Sequence, residues 1–395
     1  MALCVKEEEL VFPFEEVVDP ASVGIKVKAI DKVVARFKQQ HSSGSFPGGQ
    51  LVVRRNGKVV VNEAVGVARG FRSDETSILE SRPETLFPVY STGKPLASVA
   101  IAILEEKGLI DITEPVSRIF PEFGENGKKE ITIIDVLTHR SGVLLPELAG
   151  KFDIWKNKKK MQKQLADAVP AYKRGTPAYQ PGEFGWILSE IVSRVDGREL
   201  ADYIEQEIAK PLQLSDIKFS LNEQEYASIA HSYWQGKDKV MVAGFNVADN
   251  YEGYSNDPEF FNSRNPSFTL ISNAASLAAF YEVLVQGGIT HDGKRIVSEE
   301  TLKKYTTRQV FGWDRSVKTF LSLGRGFMTG TLTPSLFGWW NTGHCFGHAG
   351  VFSCLAFGDY DTGVSVAIVT NGNRGLGDFM KRFVSIGHGI RAACT

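Results

Sequence analysis

The chain has 395 residues, of which 43% are apolar and 23% charged, with a formal net charge of −1. That balance is ordinary for a globular protein with one large domain or two smaller ones, and it leaves no electrostatic footprint for nucleic acid or an anionic membrane. The cysteines (Cys4, Cys345, Cys354 and Cys394) show no Cys-x-x-Cys spacing, and no histidine pair forms His-x-x-x-His or His-Glu-x-x-His. Neither a disulfide framework nor a metal centre is expected, and no cofactor is called for.

The start of the chain, through Lys6-Glu7-Glu8-Glu9, is acidic where a secretory leader needs an apolar run. No apolar stretch reaches about 18 residues without charge, so no transmembrane span is expected and a cytoplasmic location is the simplest reading. Pro13 and Pro20 mark an irregular lead-in. Val27, Ile30, Val33, Val34 and Phe37 then recur at helical spacing, predicting an amphipathic helix over about 25–39. Asn56-Gly57 between two β-branched runs predicts a hairpin, with strands at about 50–55 and 58–66.

Next comes Pro88-Val-Tyr-Ser91-Thr-Gly-Lys94-Pro95, followed by Leu96 to Leu104, which is apolar on nearly every side. A helix of that kind belongs in a domain interior, and Gly108 ends it. If Ser91 opens the helix, Lys94 lies one turn on along the same face. The positive potential of the helix start favours a neutral amine and a nascent alkoxide, so the pair has the makings of a nucleophile and its base. Thr132-Ile-Ile-Asp135 reads as a capping box. The lysine-rich stretch from Lys151 to Lys163, with Trp155 inside it, reads as a solvated helix face or mobile flap, with a basic patch for a polyanion as the alternative.

Further helices are predicted at about 186–195, 200–208, 270–286, 298–305 and 378–390, and residues 215–266 read as long loops with short elements. Near the end the period returns to two. Phe346 to Phe357, a turn at Asp359 to Gly363, and Val364 to Thr370 read as a second hairpin. Strands at both ends with helices between them predict an α+β fold, one antiparallel sheet built from the N- and C-terminal strands and flanked by helices, with a mostly helical lobe inserted. The expected domain covers 25–390, its sheet part about 25–84 plus 290–390 and its helical part about 85–289.

The segment Thr85-Leu-Phe-Pro-Val-Tyr-Ser-Thr-Gly-Lys-Pro95 resembles the active-site segment of class C β-lactamases and penicillin-binding-protein-like serine hydrolases. Leu104 to Val116, Ile133 to Gly142, Asn273 to Gly288 and Phe346-Gly-His-Ala-Gly350 continue the likeness in the same order. Within that superfamily the chain is most similar to family VIII carboxylesterases. The resemblance implies the sheet-plus-helical-lobe fold and a two-step acyl transfer on Ser91. Lys94 and Tyr179 would share the role of base, and the backbone N–H groups of Ser91 and Val351 would form the oxyanion hole. A phenol beside a lysine ammonium is expected to have a lowered pKa. His348 would tune Tyr179 or bind substrate, and a glycine at 350 would leave room for substrate along the strand. Trp339 and Trp340 would wall an acyl pocket or simply pack in a loop.

Two departures bear on the substrate. Where β-lactamases carry Tyr-x-Asn this chain has Tyr179-Gln180-Pro181, and where they carry Lys-Thr-Gly it has His348-Ala349-Gly350. The first removes a side-chain donor for an acyl amide, the second a permanent cation for a carboxylate. Both point towards a small-molecule ester, with short-chain carboxylic esters the simplest case. β-lactam hydrolysis, D-amino-acid amide or peptide cleavage and acyl transfer stay open as other reactions of the same site. A non-catalytic, assembly-forming relative is the alternative of another class. The oligomeric state is not legible.

Overall fold

The computed structural model describes residues 12–237, 239–290, 292–333, 335–339 and 343–395. Its centre is a nine-stranded antiparallel sheet. In chain order the strands are β1 (Gly48–Arg55), β2 (Lys58–Arg69), β3 (Leu79–Glu80), β4 (Val310–Asp314), β5 (Thr319–Leu323), β6 (Met328–Thr329), β7 (Cys345–Gly350), β8 (Cys354–Asp359) and β9 (Val364–Thr370). In space they run β3-β2-β1-β9-β8-β7-β6-β5-β4, so the two ends of the chain meet where β1 pairs with β9, Leu51 opposite Ile368. The sheet is therefore assembled from the chain termini, and the segment between β3 and β4 forms the helical lobe, as the α+β reading requires.

The β1–β2 turn has the conformation its sequence demands. Asn56 and Gly57 both have positive φ, 55° and 77°, and that pair of left-handed residues matches the twist of the flanking strands. Strand alternation sorts the core into two layers. Leu51, Val53, Leu355, Phe357, Val366 and Ile368 face α1 (Val27–Ser42) and the C-terminal helix Leu376–Ala393. Val52, Ala356, Ala367 and Val369 face the other way, onto α2 (Lys94–Glu106) and the helix Ala274–Val285. Every residue of α2 from Lys94 to Leu104 is buried, as expected of a helix apolar all round.

Two expectations need correction. Phe346 to Phe357 is not one strand but two, β7 and β8, joined by a tight turn in which Val351 and Phe352 have φ of 30° and 62°. No glycine or asparagine occupies those positions, so the usual turn chemistry is missing from the sequence. Ser91 does not open α2 either. It sits on a separate 3-10 turn, Tyr90–Gly93, and the α-helix begins at Lys94. The strands β4, β5 and β6 extend the sheet at one edge through a region whose periodicity gave no strand prediction. Among the described residues, no helix is long and apolar enough to cross a membrane.

Candidate active site

The Tyr90–Gly93 turn lies at the junction of sheet and helical lobe. A short strand, Phe87–Pro88, pairs with Ile271–Ser272 just before it, and Val89 N donates to Leu270 O at 2.9 Å. The C-terminal end of β7 closes on the same turn. A Cβ on Gly350 would come within 2.2 Å of Val89 O, so glycine there lets two backbones touch. This replaces the expected reason, room for a substrate: Gly350 does not line the cavity described below. Tyr90, next to Ser91, has φ of 51°. Non-glycine residues with positive φ at Tyr90, Val351 and Phe352 therefore flank the serine from two elements. Strain of this kind persists only where surrounding structure fixes it.

Ser91 and Lys94 are nearly or wholly buried, and Lys94 Nζ lies 3.3 Å from Ser91 Oγ. Nζ also donates to Pro181 O at 2.8 Å and Ser267 O at 2.9 Å. Burial holds the amine pKa well below its ordinary value, with nearby Glu183 opposing the shift. A neutral amine has two N–H donors and one lone pair. In the neutral form the two carbonyls take both donors, and the lone pair is left for Ser91 Oγ. Gly93 permits this arrangement, because a Cβ there would meet Pro266 O at 2.3 Å and push away the loop that supplies Ser267 O. The position where β-lactamases carry the asparagine of Tyr-x-Asn thus serves here through the Pro181 main chain.

Tyr179 joins the pair. Its ring centroid is 4.9 Å from Lys94 Nζ, and its hydroxyl is within hydrogen-bonding reach of the Ser91 side chain. The expectation of a lowered phenol pKa fails. Burial raises it, outweighing the Ser91 hydrogen bond, and the nearby Asp314 and Glu183 carboxylates add to the rise.

The Tyr179 loop is held from both sides. His139, itself at φ of 54°, accepts at Nδ1 from Gln180 N (3.1 Å), and its carbonyl accepts from Ala178 N (2.9 Å). Opposite, the Asp314 carboxylate at the end of β4 accepts from Tyr179 N at 2.8 Å, and from Ser316 N and Val317 N at 2.9 and 3.0 Å. Glu183 accepts from Leu145 N on a separate loop and from its own neighbour Gly182 N, and burial raises its pKa. Asp314 and Glu183 were not singled out in the sequence. Isolated acids without a motif carry no signal until the fold brings distant backbone N–H groups to them.

His348 stands behind Tyr179, their ring centroids 6.1 Å apart. It is 1% exposed, and Nδ1 donates to Ala349 O at 2.7 Å. Burial pushes its pKa down to about 3, so it is neutral at ordinary pH. The described cavity walls do not include it. Trp339 is also elsewhere: it is exposed, its carbonyl accepts from Arg391, and its neighbours Leu336 and Phe337 reach the cavity instead. Trp340 lies outside the described residues.

Ser91 and Tyr179 open onto a cavity of about 850 Å³. Val351 lines it too, beside the serine turn. The first N–H groups of a helical turn have no acceptor within it, so the Ser91 N–H is available to a ligand from the turn's own geometry. Among the described lining residues there is no lysine, arginine or histidine, and Glu183 is the one acid. Among the described residues no group of three or more His, Cys, Asp or Glu could hold a metal ion.

Residues 30–388 match the family described as Beta-lactamase. The chain belongs to that family. It is 28% identical to the esterase/beta-lactamase LipL of Mycobacterium tuberculosis (strain ATCC 25618 / H37Rv), over 92% of this chain and 86% of that one. Of solved structures, a penicillin-binding protein homolog from Caulobacter crescentus superposes with a TM-score of 0.79 at 27% identity, covering 94% of this chain and 99% of that one. A family VIII carboxylesterase gives 0.75 at 22% identity, over 92% and 99%, a likeness of fold alone. The beta-lactamase family, as these members show, includes esterases and penicillin-binding protein homologues on one fold. Membership makes this chain one of a serine hydrolase superfamily, and the site has to choose among its reactions.

Proposed function

We propose that the protein is a serine hydrolase of carboxylic esters, acting through an acyl-enzyme on Ser91. The observation that carries the reading is the cavity: it opens on Ser91 and Tyr179, and its described walls hold no cation. A β-lactam or a peptide C-terminus brings a carboxylate, and burying it in apolar surroundings without a partner is costly. A neutral ester meets no such penalty. The related esterase/beta-lactamase supports the same choice without deciding it.

In this mechanism Lys94, neutral and aimed at Oγ, takes the Ser91 proton as Oγ attacks the ester carbonyl. The Ser91 and Val351 N–H groups face the developing oxyanion, each such donor being worth about 10²–10³ in rate. Tyr179, kept protonated, passes a proton to the leaving alcohol, and the lysinium restores it. Water then enters by the same route in reverse to release the acid. His139 and Asp314 position the tyrosine without touching substrate.

The test is Ser91→Ala with p-nitrophenyl butyrate, a short-chain ester. Turnover should fall to background and labelling by a fluorophosphonate probe should vanish; a variant that keeps either refutes the assignment. A chromogenic cephalosporin given to the wild-type protein should be cleaved with kcat/KM at least about 100-fold below that of the ester, a modest demand given that one unpaired buried charge costs several kcal/mol. Equal efficiency on both would make the protein a β-lactamase as much as an esterase.

A further inference from the structure

The cavity is far larger than a short ester needs. At roughly 30 Å³ for each water-sized heavy atom, ethyl acetate would occupy on the order of 200 Å³, against about 850 Å³ here. Its walls are mostly apolar, with Glu183, Asn246 and a few serine and threonine hydroxyls among them. On the helical-lobe side Trp155, Trp186, Phe260 and Phe268 form an aromatic box, with Trp155 and Phe268 centroids 5.1 Å apart and Trp186 and Phe268 5.9 Å apart, both edge to face. That packing is rigid and presents ring faces and edges to whatever lies inside. On the sheet side the wall includes Met328 and Met380, whose unbranched side chains adapt to the shape of a ligand.

The mouth carries a second, independent sign. β4 and β5 pair so that Trp313 lies opposite Phe320 and Phe311 opposite Ser322, which places the three aromatic residues on one face of the edge hairpin. Phe311 and Phe320 stack at 5.9 Å, and both line the cavity. Yet they are 57% and 62% exposed, and Trp313 is 46% exposed. Large apolar side chains on an exposed sheet edge invite aggregation, and edge strands ordinarily avoid them. Here they continue an apolar wall outwards from the site. This is an arrangement that a substrate's own hydrocarbon would cover.

We propose that the natural substrate is an uncharged ester with an extended or bulky apolar group. That group fills the space between the aromatic box and the methionine wall and reaches out to the Phe311–Phe320 pair. The inference rests on the ester reading above and specifies its substrate. The short-chain ester is then the smallest case the site accepts rather than the one it fits.

The experiment compares kcat/KM for p-nitrophenyl acetate, butyrate and octanoate, each below its solubility limit. Burying a methylene contributes about fourfold in kcat/KM, the equivalent of ~0.8 kcal/mol. Even with half of the added chain buried, the octanoate-to-acetate ratio should exceed about 50. In the Phe311→Ser, Phe320→Ser double variant, whose side chains are exposed enough to be removed without unfolding, that ratio should fall at least about fivefold. A wild-type ratio at or below one overturns the inference while leaving the ester reading intact. A ratio unmoved by the double variant removes the hairpin from it. If no ester of the series is hydrolysed in a Ser91-dependent way, it is the ester reading that fails.

Discussion

Asp314 is the residue whose replacement tests most directly how this site is held together. Its carboxylate is fully buried and accepts from three backbone N–H groups, Tyr179, Ser316 and Val317. Asp314→Ala leaves the Tyr179 and Ser316 N–H groups buried without acceptors at about 1–3 kcal/mol each, while Val317 is open enough for water to take over. The expected loss of stability is therefore about 2–6 kcal/mol, large but within what a folded domain of this size tolerates. The effect on turnover should be larger than on binding. With one of its two anchors gone the Tyr179 loop shifts, and a displacement of about 1 Å at a catalytic group costs on the order of 10²-fold. The assay is kcat and KM for p-nitrophenyl butyrate beside a thermal melt, in Asp314→Ala and Asp314→Asn. Alanine should lower kcat about 100-fold with KM little changed. Asparagine, which keeps one acceptor oxygen but turns N–H groups towards other N–H groups, should recover part of it. A folded Asp314→Ala protein with kcat within about threefold of wild type would refute the claim that this carboxylate positions the tyrosine.

Two further predictions follow from burial. Lys94 has its pKa lowered by desolvation, so the unfolded chain binds one more proton between that lowered value and the ordinary 10.5, and stability rises with pH across the window. Relative to Lys94→Met, the wild-type protein should gain up to about 1.4 kcal/mol per pH unit as the pH rises towards the ordinary 10.5; parallel stability–pH curves would refute a lowered lysine pKa. The acid limb of kcat/KM should likewise lie well below the usual lysine range, and His348, already neutral down to about 3, should leave no step of its own near neutrality. Gly350→Ala puts a methyl group 2.2 Å from Val89 O. It should cost about 1–3 kcal/mol in a melt and reduce turnover by moving the Ser91 turn; an unaffected variant would show that the β7–turn contact can yield freely.

The sequence by itself carried what depends on local pattern. Asn56-Gly57 fixed a hairpin because two left-handed residues in a row permit little else, and the unbroken apolar run after Lys94 could only be a central helix. The order of the segments around Ser91, Lys94, Tyr179 and His348 carried the family, hence the sheet of two termini and the lobe between them. What it could not carry was anything set by contact between distant backbones. Val351 and Phe352 turn the chain without turn residues because they face the cavity and lie against the Ser91 turn. Gly350 is glycine because of Val89, not because of a ligand. Tyr179 stays protonated because tertiary packing excludes water around it and sets the Asp314 and Glu183 carboxylates nearby. The size of the cavity and the exposed Phe311–Phe320 rim were decided last of all, since they come from an edge hairpin meeting a loop from the opposite lobe, and no periodicity records a meeting of that kind.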